Sequence, residues 1–182
     1  MKITRYVVLF LLFLSCSRIA EAYNSKAWRE RLDARTVTLW VEGQMLGDNV
    51  VLYSRGRLDV TWLERGLVHR LEEDRDVEEW LLNGLNYYSS NRKDTQAKVR
   101  RRDVFVLNYK ASKHWDFTPT KLVIGGYRII SDDILTKKEY WDDYLAPGDE
   151  GSVAVVAPPL KPGQKVEIQY EDARATLNVP RR

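Results

Sequence analysis

The chain has 182 residues, with 29 Lys and Arg against 26 Asp and Glu, a formal net charge of +3, and a single cysteine. A lone cysteine rules out an intrachain disulfide and a multi-thiolate metal site, since each needs more than one sulfur. The positive excess sits at the start: residues 1–22 carry Lys2, Arg5 and Arg18 against Glu21, so a chain beginning at Tyr23 holds 26 basic and 25 acidic residues. That balance argues against a nucleic-acid partner, whose binding domain is normally strongly basic.

Lys2 and Arg5 precede an apolar run, Tyr6 to Leu14, which is too short to span a bilayer and the right length for the core of a signal peptide. Two cuts are open. Ala20-Glu21-Ala22 places small residues at the −3 and −1 positions, which suits cleavage before Tyr23 and a signal peptide over residues 1–22. Ser15-Cys16 resembles a lipobox, in which cleavage before Cys16 leaves a lipidated cysteine, although Phe13 and Leu14 depart from that pattern. Multiple acylation would tether the chain stably. Under both cuts the chain is exported, to the periplasm or the cell surface, and the membrane is a partner only if Cys16 is lipidated.

Tyr23 to Arg35 is polar and reads as a short helix with Trp28 and Leu32 on one side, or as a loose lead-in. Thr36 to Glu42 alternates, with Val37, Leu39 and Val41 on one face and Thr38, Trp40 and Glu42 on the other, which is strand periodicity. Asn49 to Tyr53 is a second short strand. The period then changes. Val60, Leu63, Leu67, Val68 and Leu71 share a helical face, with Thr61 and Glu64 in capping-box relation and Gly66 as an internal weakness. Val77, Trp80, Leu81, Leu85 and Tyr88 share another, with Asp76 as cap and Glu78 and Glu79 at the positive helix start, so a helix is expected over roughly 76–88. Trp62 and Trp80 fall in the apolar helical phase.

Beyond residue 102 the chain turns to strands: 103–109, two short strands or one long one bent at Gly125-Gly126 within 121–130, 152–157, and a closing hairpin of 165–170 and 174–179 around Glu171-Asp172-Ala173. Pro-Gly pairs at 147–148 and 162–163 punctuate them. Short strands at this spacing predict an antiparallel sandwich.

The stretch from Trp115-Asp-Phe-Thr-Pro through Leu145-Ala-Pro-Gly148, Gly151-Ser-Val-Ala-Val-Val-Ala-Pro158 and Val166-Glu-Ile-Gln-Tyr170 resembles immunoglobulin-like modules of secreted bacterial proteins. The resemblance covers roughly residues 103–180. It implies an immunoglobulin-like β-sandwich and an exported location, and it carries no catalytic signature. The expected organisation is a signal peptide at 1–22, an N-terminal region with strands and a helical segment at 23–102, and the sandwich at 103–182. The fold class is mainly β.

Candidate chemistry is sparse. His69 and His114 are not in a spaced metal pair, and no nucleophile elbow, phosphate loop or dinucleotide fingerprint occurs. Asp132, Asp133, Asp142, Asp143, Asp149 and Glu150 crowd one inter-strand region but match no calcium loop and read as a solvated loop. Arg92, Lys93, Lys98, Arg100, Arg101 and Arg102 form a basic run that can pair with the acids at 72–79 or meet an anionic surface. Tyr140, Trp141 and Tyr144 form an aromatic loop, and loops at the ends of a sandwich carry recognition on a rigid scaffold. The expectation is a non-enzymatic binding or structural protein of the bacterial envelope with a protein or glycan partner, no cofactor, no metal, and Tyr140, Trp141 and Tyr144 as its recognition loop. A carbohydrate-binding module and a small hydrolase with a dispersed site are the competing readings.

Overall fold

The computed structural model describes residues 29–46, 50–64, 99 and 101–181. Residues 29–33 are helical and belong to a first compact unit, Met1–Asp33; the second unit spans Ala34–Arg182. Its strands in chain order are β1 (Thr36–Val41), β2 (Gln44–Leu46), β3 (Val50–Leu52), β4 (Gly56–Leu63), β5 (Asp103–Ala111), β6 (Trp115–Asp116), β7 (Leu122–Ile124), β8 (Tyr127–Arg128), β9 (Tyr144–Leu145), β10 (Glu150–Ala157), β11 (Lys165–Tyr170) and β12 (Ala173–Asn178).

The unit is mainly β, and among the described residues every ladder is antiparallel. One sheet runs β1-β4-β5-β10 and a second runs β12-β11-β7-β8; β2-β3 and β6-β9 are separate two-stranded ladders. Strands from before and after residue 102 thus share the first sheet. The two larger sheets contribute to one apolar core: Leu39, Val60, Phe105, Leu107 and Val155 from the first, Leu122, Ile124, Val166, Ile168 and Leu177 from the second. Each such side chain contributes about 1.5–3 kcal/mol when removed from water.

The alternation read in β1 is realised. Leu39 and Val41 are buried in the core, while on the other face Thr38 donates to Asp59 across the ladder at 2.6 Å and the Arg57 guanidinium lies over the Trp40 ring. β5 and β10 differ. Val104, Val106, Ala154 and Val156 alternate away from the core residues, yet they are as buried as Phe105 and Val155. Strands buried on both faces read as continuous apolar runs, as Val104 to Leu107 and Val153 to Ala157 do.

Turn chemistry places the strands. Gly125 and Gly126, at φ 56° and 85°, form the two-residue hairpin between β7 and β8, a conformation requiring positive φ at both central residues. Pro147-Gly148 and Pro162-Gly163 each close a four-residue turn: the Asp149 N–H donates to the Ala146 carbonyl at 3.1 Å and the Gln164 N–H to that of Lys161 at 3.0 Å. Proline presets the first central φ and glycine takes the positive second one, 96° at Gly148 and 78° at Gly163. The β11–β12 hairpin turns on Glu171-Asp172 alone, since Ala173 already pairs with Tyr170.

The helix expected from Val60 onward is corrected: Val60 to Leu63 complete β4. Leu58, Val60 and Trp62 alternate into the core, but Thr61 and Leu63 are buried on the opposite face, which erases the period and mimics helical spacing. β1 and β5 take the backbone hydrogen bonds on either side. Thr61 caps no helix; its hydroxyl meets that of Thr36 at 2.8 Å. Residues 65–71 and the predicted helix at 76–88, with His69 and Trp80, lie outside the described residues.

Trp62 is core, as its apolar phase implied, but in strand phase. Its indole N–H donates to Asp103 at 2.7 Å, and the Leu160 N–H donates to the same carboxylate oxygen at 2.9 Å. These bonds tie the end of β4, the start of β5 and the segment after β10 together. Burial pushes the Asp103 carboxyl above its ordinary value, against the two donors, which pull it down.

Candidate functional site

At the end of the sandwich that carries Val41, Gly56, Ala111 and Glu150, several loops converge. Residues 112–118 follow β5, residues 137–149 contain β9, and Tyr53-Ser54-Arg55 lead into β4. Backbone bonds knit them. The Ser112 and Lys113 N–H groups share the Arg55 carbonyl at 2.8 and 3.0 Å, the Phe117 N–H donates to Asp143 at 2.8 Å, and the Gly148 N–H to Ala111 at 2.8 Å.

The aromatic loop is placed here, and its three members divide. In the β6–β9 ladder Trp115 faces Leu145 and Asp116 faces Tyr144; the first pair is buried and the second exposed. Trp141 is half-buried. Its ring meets Phe117 edge-on at 6.1 Å between centroids, with the Lys138 ammonium 3.9 Å from its own centroid. It is an anchor. Tyr140 and Tyr144 stand out at 67% and 63% exposure, so the surface that can meet a partner is carried by the tyrosines. Beneath the loop lies an aromatic cluster of Tyr109, Trp115, Phe117 and Tyr170. The Tyr170 hydroxyl accepts the Thr118 N–H at 3.0 Å, which pins the loop to the core. Burial pushes the Tyr109 phenol up to about 12 and raises that of Tyr170 as well, so both stay neutral at physiological pH.

Two residues not nominated from the sequence as contact residues belong to this surface. His114 is exposed and stacks on Tyr144, with centroids 5.6 Å apart and planes at 21°. Tyr53 is 74% exposed, and Lys113 donates from Nζ to its carbonyl at 2.8 Å while lying over its ring. Tyr53 also has φ +62°, a left-handed conformation that costs an L-residue with a side chain about 1–2 kcal/mol. The described non-glycine residues with positive φ are Glu42, Tyr53 and Glu171, and all three occupy this end. They are linked: Glu42 pairs with Arg55, the Glu42 N–H donates to Asp172 at 3.2 Å, and Lys121 pairs with Glu171 at 2.6 Å. Glu171 takes its positive φ as the first residue of the two-residue β11–β12 turn; no propensity signal marks Glu42 or Tyr53.

The six acids do not converge. Asp143 faces Lys138 at 3.5 Å, Asp149 accepts the Ala146 N–H at 2.7 Å, and Glu150 pairs with Lys110 at 3.2 Å. Among the described residues no group of three or more His, Cys, Asp or Glu is placed to hold a metal ion. The solvated-loop reading needs one correction, at Asp133, which is buried. Its carboxylate pairs with Arg102, accepts the Tyr127 hydroxyl at 2.8 Å and accepts the Ile130 N–H at 3.1 Å. The bond to Asp133 raises the Tyr127 phenol above its ordinary value. Arg102, expected in a solvated run or opposite the acids at 72–79, is thus committed to a partner after β8. Arg92, Lys93, Lys98 and Arg100 lie outside the described residues, as does Cys16. No helix among the described residues is long and apolar enough to cross a membrane.

With this geometry in hand, comparison with known proteins adds no precedent: no family model, curated protein or solved structure matches the chain.

Proposed function

We propose that this chain is an exported, non-enzymatic binding or structural protein of the bacterial envelope, and that it engages its partner through the loop end bearing Tyr140 and Tyr144. The observation that supports this reading is the split within the aromatic loop. Trp141 and Leu145 are rooted in the core, and the two tyrosines between and beside them are held out into solvent. Exposed rings fixed on a packed scaffold lose little conformational freedom on binding, which is why tyrosine is over-used at recognition surfaces. The immunoglobulin-like resemblance and the leader at residues 1–22 supply the exported location. The near-neutral charge after residue 22 leaves nucleic acid without an electrostatic footprint, and membrane attachment would come through Cys16 alone.

The test is site-specific photo-crosslinking in the native host. A photoreactive residue at position 144 should give an adduct of discrete mass, and the same residue at the exposed position 165 of β11 should not. Equal adducts at both positions, or none at 144, would remove the support for this surface. Intact mass and fractionation decide the tether: a soluble chain starting at Tyr23 is free, and an acylated chain starting at Cys16 is anchored.

A further inference from the structure

We infer that the partner is a carbohydrate chain, and that Tyr53 is one of its contact residues together with Tyr144. This rests on the binding-protein reading above and gives the ligand a chemical class.

Tyr53 carries the argument. Glycine or asparagine would occupy a left-handed position at lower cost, because glycine has no Cβ and asparagine tolerates that region well. A tyrosine there, 74% exposed, gains little from burial, so the fold offers no packing reason for it. Strained residues of this kind collect where a ligand is held, and the inference runs from the observed outlier to the function. Glu42 shares a positive φ at the same end and is bonded to Arg55 and, through its N–H, to Asp172.

The chemistry around Tyr53 selects the class. Lys113 lies over the Tyr53 ring and His114, the next residue, stacks on Tyr144, so the two rings flank one dipeptide and each is steadied on one side. The large exposed hydrophobics among the described residues are Tyr53, Ile130, Tyr140 and Tyr144, and three of these four are tyrosines of this end. A docking protein normally needs an aliphatic or aromatic patch that can be fully desolvated at its centre. Here single rings alternate with Lys113, Asp116, the Arg55–Glu42 pair and Asp172, which offers both donors and acceptors and no field of one sign. A sugar has that same make-up: a C–H face that lies flat on an aromatic ring and a rim of hydroxyls that both donate and accept.

The experiment uses the full-length protein, its Tyr53→Asn and Tyr144→Ala variants, and a printed glycan array, with calorimetry on the strongest oligosaccharide. The wild type should retain at least one glycan, and each variant should weaken it about tenfold or more, the loss of one stacked ring. Tyr53→Asn should melt at the wild-type temperature or about 2–4 °C above it, because the strain is relieved. A ring kept for stability would instead give a variant that melts lower, and that result overturns the assignment. Retention of no glycan, or retention undiminished in both variants, overturns it as well. If no glycan binds while the residue-144 crosslink yields a protein adduct, the ligand class falls and the binding-protein reading stands. If neither is found, both fall.

Discussion

Gly56 sits under the aromatic cluster, and replacing it by alanine tests the packing that supports the loop end. A Cβ at this position would lie 2.7 Å from Cε3 and Cζ3 of Trp115 and 2.9 Å from the Lys110 carbonyl oxygen. Neither neighbour can yield. Trp115 is fully buried, edge-on to Phe117 at 5.3 Å and to Tyr170 at 5.7 Å, and Lys110 is in the central strand β5. Alanine recovers about 0.5–1 kcal/mol of backbone entropy in a strand. Overpacking costs about 1–3 kcal/mol, and a clash with both an immobile ring and a carbonyl belongs at the upper end. Gly56→Ala should therefore lose about 2 kcal/mol, or about 4–8 °C in Tm at this chain length. The decisive measurement is a double-mutant cycle with Trp115→Phe, read by urea unfolding followed by circular dichroism. Phenylalanine removes the ring edge that clashes, and it also removes an indole N–H that has no hydrogen-bond partner among the described residues. In that background Gly56→Ala should cost almost nothing, a coupling of about 1–2 kcal/mol. Gly126→Ala is the control: its Cβ meets nothing, but at φ 85° it should cost about 1–2 kcal/mol independently of Trp115. Additivity of Gly56→Ala and Trp115→Phe within about 0.5 kcal/mol would refute the packing argument.

Other expectations concern the buried carboxylates. Burial raises the Asp103 carboxyl, so the folded protein binds that proton more tightly than the unfolded chain. From this group, stability rises as pH falls through the folded value and levels off below the unfolded value near about 3.9. The stability of the wild type relative to Asp103→Asn should therefore increase from pH 7 to about pH 4 in urea titrations, and a relative decrease would contradict the sign. Arg102→Met strips the charged partner from Asp133 and leaves the Tyr127 and Ile130 donors. Losing one partner of a buried pair costs about 3–5 kcal/mol, reduced here to about 2 because Arg102 is partly solvated; a change under about 0.5 kcal/mol would mean the pair contributes nothing. Trp62→Phe leaves the Leu160 N–H as the remaining described donor to Asp103, and it should cost about 1–3 kcal/mol at pH 7 and less near pH 4. A pH-independent loss would count against the bond.

Much of the β architecture was legible because its signals are local. The alternation of Thr36 to Val41, the break at Gly125-Gly126, the two Pro-Gly turns and the apolar runs at 104–107 and 153–157 each act within a few residues, and each is realised, the break as a hairpin between two short strands. The misreading at Val60 to Leu63 arose where both faces of a strand are covered, since burial on two sides removes the period that separates strand from helix. Pairings across long separations left no trace in the sequence. Nothing near Asp133 indicates Arg102, and nothing near Asp103 indicates Trp62. The same holds for the loop end. Composition pointed to Tyr140, Trp141 and Tyr144, but Trp141's inward turn depends on Phe117 and the place of Tyr53 depends on a backbone angle.

The contrast between the two sheets also sets an order of assembly. In the second sheet β7 is joined to β8, and β11 to β12, by two-residue turns, so those pairs close at low entropic cost and on the microsecond scale of hairpins. In the first sheet β4 must find β5 across the whole segment from Leu63 to Asp103, and β5 must find β10 across residues 112–149, which hold β7 and β8. Such distant pairings place the chain among the slower folders, at milliseconds to seconds. Until β5 is enclosed, Val104 to Leu107 is an apolar strand without neighbours, and the search for β4 and β10 is the interval in which the newly made chain is most exposed to misassembly.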